Sequence, residues 1–207
     1  MDGRRTHWDG IYQGTPPVDR SWHQDNPVLS LELITLAGVS RDAPVIDVGG
    51  GASVLVDWLI QAGYRDITVL DISAAALAVS KNRLGDVADN IQWPAVDITQ
   101  YEPSRQYALW HDRAVFHFLT DKTDRRKYRA VLERTLLPGG DVVIATFGLG
   151  GPTKCSGLDV VQYDAEKLSA ELGSGFRLLN VRDEVHLTPR MMQQQFTYCH
   201  FRRANTQ

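Results

Sequence analysis

Three aspartates in this chain of 207 residues stand where short apolar runs give out: Asp47 in VIDVGGGAS, Asp71 in VLDIS and Asp97 in AVDIT. A carboxylate beside bare backbone accepts hydrogen bonds from a cationic or hydroxylated ligand. Asp47 precedes Gly49, Gly50 and Gly51 and could accept from an ammonium group. Asp71, with Ile72 after it, comes twenty residues past Gly51 and could accept both hydroxyls of a ribose. Asp97, beside Ile98, could read an adenine amino group. A fourth polar run, His111-Asp112-Arg113, closes QYALWHDR, with His117 six residues beyond His111. An imidazole there suits proton transfer, and a guanidinium suits holding an anion.

The glycines narrow the ligand. A dinucleotide fingerprint has glycine at three set positions, G-x-G-x-x-G. Gly49 and Gly51 fill the first two, but Val54 stands at the third. A phosphate-cradling loop would continue into G-K-[ST], and no such run follows. An ammonium, a ribose diol and an adenine amine are together the hydrogen-bonding groups of S-adenosylmethionine. No third ligand stands at clear spacing around His111 and Asp112, so no metal is expected.

Elements that alternate in type must carry these residues. Asn26-Pro27 opens a helix that LSLELITLA continues. APVIDVG reads as a strand, SVLVDWLIQAG as a helix stopped by Gly63, and DITVLDIS as a second strand. Ser73 caps the helix AAALAVSKNRL, and NIQWPAVDI and QYALWHD read as two more strands. TDRRKYRAVLERTLL is a helix ending at Pro138-Gly139-Gly140, before the buried strand DVVIATF. YDAEKLSAELG is a last helix, and FRLLNVRDEVHL and QQQFTYCHFRR form an edge hairpin. The pattern predicts an α/β fold with a doubly wound, mostly parallel sheet. Ligands of such sheets bind past the carboxyl ends of the strands, at the topological switch point, which places all four polar runs on one rim.

Composition excludes several classes. Hydrophobic residues make up 43% and charged residues 23%, which is ordinary for one soluble domain with a sizeable core. A net charge of −3 provides no electrostatic footprint for nucleic acid. No apolar run is long enough for a membrane span, and MDGRRTHWDG lacks a signal-peptide core, so a cytoplasmic protein is expected. Cys155 and Cys199 form no CxxC pair and suggest neither a disulfide framework nor a structural zinc. Nothing in the composition specifies an oligomeric state.

From Ile34 to Phe201 the chain resembles the class I S-adenosylmethionine-dependent methyltransferases, through VIDVGGGAS, VLDIS, AVDIT and LLPGGDVVIATF. The resemblance implies a Rossmann-like sheet of seven strands with the last antiparallel, and S-adenosylmethionine as cofactor. It also implies cofactor roles for Asp47, Gly49, Gly50, Gly51, Asp71, Ile72, Asp97, Ile98 and His111. A narrower resemblance is to thiopurine and related thiol methyltransferases. WDGIYQGTPPVDRSWHQ is similar to their N-terminal segment, which folds aromatic residues over the cofactor. This implies a lid over residues 1–27 and a catalytic domain over 28–207. WHDRAVFHFL and DRRKYRAVLERTL are similar to their fourth-strand region, except that Ala114 replaces the usual glycine after the Asp-Arg pair.

The chemistry agrees with that branch. Displacement at a sulfonium methyl gains most from holding the nucleophile in line. Trp8, Tyr12 and Trp22 could hold the sulfonium by cation–π attraction while also packing as an apolar lid. A thiol reacts as thiolate, and positive charge lowers its pKa. Arg113 supplies that charge, with His111 or His117 as proton acceptor. The expected activity is methyl transfer to a small molecule, a thiol or similar soft nucleophile. HDRA matches neither the [DN]-P-P-[YFW] motif of nucleic-acid amino-methyltransferases nor a Pro-Cys nucleophile. Two rivals stand beside this reading. One is a protein lysine methyltransferase, some of which share the WDxxY opening but carry a DKG-like motif at the fourth strand. The other is a non-catalytic domain that only binds the cofactor.

Overall fold

A computed structural model describes residues 2–14 and 16–205. Met1, Thr15, Thr206 and Gln207, which fall within the expected lid and domain boundaries, lie outside the described residues. Helix α1 (Asp2–Gly14) and a 3-10 turn (Pro17–Asp19) lead into α2 (Val28–Ala37). Then follow β1 (Val45–Val48), α3 (Leu55–Gln61), β2 (Ile67–Leu70), α4 (Ala74–Leu84) and β3 (Tyr107–Arg113). Helix α5 (Lys122–Thr135) precedes β4 (Leu136–Phe147), and a two-strand hairpin joins β5 (Lys154–Cys155) to β6 (Leu158–Asp159). The chain ends with α6 (Ala165–Leu172), β7 (Phe176–Leu187) and β8 (Gln193–Arg203). No helix among the described residues is long and apolar enough to cross a membrane.

The main sheet has the order β2-β1-β3-β4-β8-β7. β2, β1, β3 and β4 run parallel, and the last strand β8 is antiparallel to both neighbours. Among the described residues the expected seventh strand is absent, and the sheet has six. Residues 91–97 lie beside β2 but make only two isolated parallel bridges, Thr68 with Gln92 and Asp71 with Ala95. Pro94 between them has no N–H to donate, so the ladder breaks there. Helix α5 also ends earlier than expected, at Thr135, and Leu136-Leu137-Pro138-Gly139-Gly140 already belongs to β4. The hairpin β5–β6 has no counterpart in the sequence reading.

Period-two alternation buries both faces of the sheet. Ile46, Trp110, Val142, Ile144 and Phe201 pack on α5 and α6, whereas Val45, Leu109, Val143 and Tyr198 pack with Leu33, Val56 and Leu59. β1 lies between β2 and β3, and the chain winds outward from it in both directions. That switch point opens a crevice past the carboxyl end of β1.

Candidate active site

A cavity of about 140 Å³ runs along this carboxyl edge. At its β2 side stand Asp71, Ile72, Asp97 and Ile98, with Gly49 at the end of β1. Trp8, Tyr12 and Trp22 close it from the N-terminal segment. At its β4 and β8 side stand Arg113, Ala114, Phe118, Phe147, Cys155, Leu158 and Phe196. A smaller cavity of about 50 Å³ shares Tyr12, Trp22, Gly49 and Arg113 with the first and adds Arg20, Ser30, Asp47, Gly50 and His111. The structure thus gathers nearly all the predicted residues at one rim.

Each acid is held by its own element. Asp71 Oδ1 accepts from Ser73 N at 2.8 Å, and burial pushes this carboxyl up to about 7, with Asp47 and Asp9 adding like-charge repulsion. Asp97 caps the 3-10 turn Ile98–Gln100, with Oδ1 accepting from Thr99 N at 2.9 Å. Gly49 has φ +71°, and a Cβ there would strike Val115. Gly51 lines neither cavity; its bare Cα leaves room for Asp71, whose Oδ2 would lie 2.5 Å from a Cβ.

The two histidines expected as proton acceptors do not face the larger cavity. His111 is buried, with Nδ1 2.7 Å from Asp47 Oδ1 and Nε2 2.9 Å from Ser30 Oγ. A carboxylate only accepts, so Nδ1 donates to Asp47, and Nε2 pairs with the Ser30 hydroxyl. Both nitrogens are committed. His117 lies behind Phe147 and accepts from its N–H through Nδ1 at 3.2 Å. Burial, then the Arg113 charge, lowers His117 to about 3, so it is neutral at physiological pH.

Arg113 does face the cavity. Nε donates to Tyr198 Oη at 2.8 Å and Nη1 to the Trp22 carbonyl at 3.0 Å, and Cζ sits 4.3 Å over the Phe196 ring. Nη2 is buried with no hydrogen-bond partner, and the nearest ion-pair oxygen is Glu184 Oε2 at 3.6 Å. Asp112 does not pair with it. Its Oδ1 accepts from Val115 N at 2.9 Å and its Oδ2 from Tyr128 Oη at 2.7 Å, which anchors the turn after β3. Burial raises Asp112 to about 6.

The N-terminal helix is latched over the acids. Asp9 Oδ1 accepts from Ser73 Oγ at 2.5 Å, and Arg4 pairs with Asp97 at 3.4 Å and with Asp124. Trp8 meets Phe118 and Trp22 edge-on at 5.0 and 5.9 Å, and the Arg20 guanidinium lies 4.1 Å over Tyr12. Sequence reasoning missed Arg4, Asp9, Arg20, Phe147, Leu158 and Phe196. Phe147 was within reach by extending the strand-end rule from acids to aromatics, because it closes β4.

Residues 45–140 match the family described as methyltransferase domain. Malonyl-acyl-carrier-protein O-methyltransferase 1 of Ilyobacter polytropus is 27% identical over 56% of this chain and 42% of its own length. The match therefore spans about two-fifths of that relative. EEF1A lysine methyltransferase 2 of Homo sapiens is 25% identical over 86% of this chain and 75% of its own length. Among solved structures, the 1,6-didemethyltoxoflavin-N1-methyltransferase of Burkholderia thailandensis, holding 1,6-didemethyltoxoflavin and S-adenosylhomocysteine, superposes with a TM-score of 0.68 at 18% identity. That alignment covers 99% of this chain and 83% of the other.

Proposed function

We infer that this chain, which has the class I S-adenosylmethionine-dependent methyltransferase fold and a methyltransferase domain over residues 45–140, methylates a small molecule in the cytoplasm. The leading acceptor is a thiol or similar soft nucleophile. The observation that carries the reading is a single cavity with adenosine-type acids at one end and a buried guanidinium at the other.

In this reading Asp71 takes the ribose hydroxyls, and Asp97 with Ile98 takes the adenine. The smaller cavity is lined by both the Asp47 carboxylate and the Arg20 guanidinium, a match for the ammonium and carboxylate of an amino-acid tail. His111 holds Asp47 in place. Residues 1–27 form the lid, with Trp8, Tyr12 and Trp22 as aromatic faces for a sulfonium. The bound cofactor supplies an electrophilic methyl group. Arg113 does the work on the acceptor side: its positive charge favours the thiolate and orients it in line. The thiol proton passes to water, since His111 and His117 are both turned away.

The test is S-adenosylhomocysteine release with a panel of small thiols and sulfide, with phenols and amines as controls. Turnover confined to the soft nucleophiles is expected. Arg113→Gln should lower kcat about 100-fold while S-adenosylhomocysteine affinity stays within about threefold. Tight cofactor binding with a silent panel would reject the small-molecule acceptor. Transfer would then be sought on protein lysines, as the name of the human relative suggests.

A further inference from the structure

The hairpin β5–β6 is not required by the sheet, yet it carries a matched pair of residues into the cavity. Ser156 and Gly157 both have positive φ, +51° and +79°. That is the two-residue turn whose twist suits paired strands. Cys155 pairs with Leu158 and Lys154 with Asp159. Directly opposed residues share a face, and successive residues point to opposite faces. Lys154 and Asp159 form an exposed ion pair at 3.1 Å, so Cys155 and Leu158 turn inward, and both line the larger cavity. Cys155 is buried in the same apolar cluster as Phe147 and Phe196, whose rings lie 4.8 Å apart.

This wall belongs to the acceptor end. Arg113, with its side chain nine-tenths buried, lines the same stretch with Nη2 lacking a hydrogen-bond partner. Among the described residues that line the cavity at this end there is no carboxylate or imidazole, and the nearest carboxylate oxygen, Glu184 Oε2, stands 3.6 Å from Nη2. Burial raises the Cys155 thiol, so it stays protonated and acts as a soft, polarizable surface.

We propose that Cys155 and Leu158 are the specificity-determining pair of the acceptor site, forming with the edge-on Phe147 and Phe196 rings an apolar slot for the acceptor, whose nucleophile reaches Arg113. This rests on the methyltransferase reading above. The turn sets the depth of the slot, because it fixes how far the hairpin carries both side chains.

The experiment measures binding of thiophenol and 2-naphthalenethiol to protein saturated with S-adenosylhomocysteine, read by tryptophan fluorescence. Leu158→Ala should raise the affinity ratio of the larger to the smaller arenethiol about tenfold, which corresponds to about 1.4 kcal/mol. Cys155→Phe, the filling variant, should weaken both by about tenfold or more, with S-adenosylhomocysteine affinity within about threefold of wild type. An unchanged ratio in Leu158→Ala, or wild-type binding in Cys155→Phe, would overturn the proposal. Equal loss of S-adenosylhomocysteine affinity would also overturn it, by assigning the pair to the cofactor. Wild-type protein that binds S-adenosylhomocysteine but neither arenethiol rejects the slot alone. Wild-type protein that does not bind S-adenosylhomocysteine rejects the methyltransferase reading itself.

Discussion

At the scale of single residues, Asp71 carries the clearest consequence. Its carboxyl moves from 3.8 to about 7 because it is buried near Asp47 and Asp9. Between those values the folded chain holds a proton that the unfolded chain releases. Ionisation of Asp71 therefore opposes folding as pH rises from about 4 through about 7. In the proposed cofactor complex a ribose diol donates to the ionised carboxylate and reverses that preference. S-Adenosylhomocysteine affinity should rise with pH up to about 7, by about tenfold per unit well below it, and then level off. Titration calorimetry across this range checks it. Asp71→Asn should weaken binding and flatten the profile; an unchanged profile would remove Asp71 from the ribose site. The three acids were legible in the sequence because each ends an apolar run. The partner of His111 was not, since Asp47 and His111 are neighbours only through the β1–β3 register.

Among the elements, the turn after β3 explains a departure noted in the sequence. Ala114 has φ +69°, a left-handed conformation that costs a residue bearing a Cβ about 1–2 kcal/mol. A glycine at this place would avoid that cost, but glycine loses more chain entropy on folding. Ala114→Gly should raise stability by a net of about 0.5–1 kcal/mol, checked by urea unfolding with an unchanged m-value. Destabilisation would show that the Ala114 methyl, which lines the cavity, contributes more through packing than its backbone costs. Element types were legible wherever periodicity was strong. The hairpin β5–β6 was not, because strands of two residues carry no period. The segment 91–97 misled through its apolar alternation, which Pro94 interrupts.

For the molecule as a whole, α1 closes a cavity whose other walls come from the sheet edge and the hairpin β5–β6. Its latches, Asp9 to Ser73 and Arg4 to Asp97, join the lid to the proposed adenosine site, so ligand binding and lid closure should be linked. Proteolysis within residues 2–14 should slow about threefold or more on saturation with S-adenosylhomocysteine. Asp9→Ala should reduce that protection. Equal cleavage with and without ligand would make the helix a fixed cover. A closed cover also bears on the lysine-methyltransferase rival, which needs an open cleft for a protein chain.

By itself the sequence determined the alternation of elements, the rim on which the acids stand and the kind of cofactor they suit. These follow from local pattern: apolar runs make strands, and glycines and acids at their ends make a binding edge. Only the tertiary structure decided which polar groups face the cavity. Cross-strand register turned His111 toward Asp47, burial silenced His117, and contacts from Trp22 and Tyr198 fixed Arg113 at the cavity wall opposite Asp71. Facing depends on residues far apart in the chain, and spacing along one strand does not encode it.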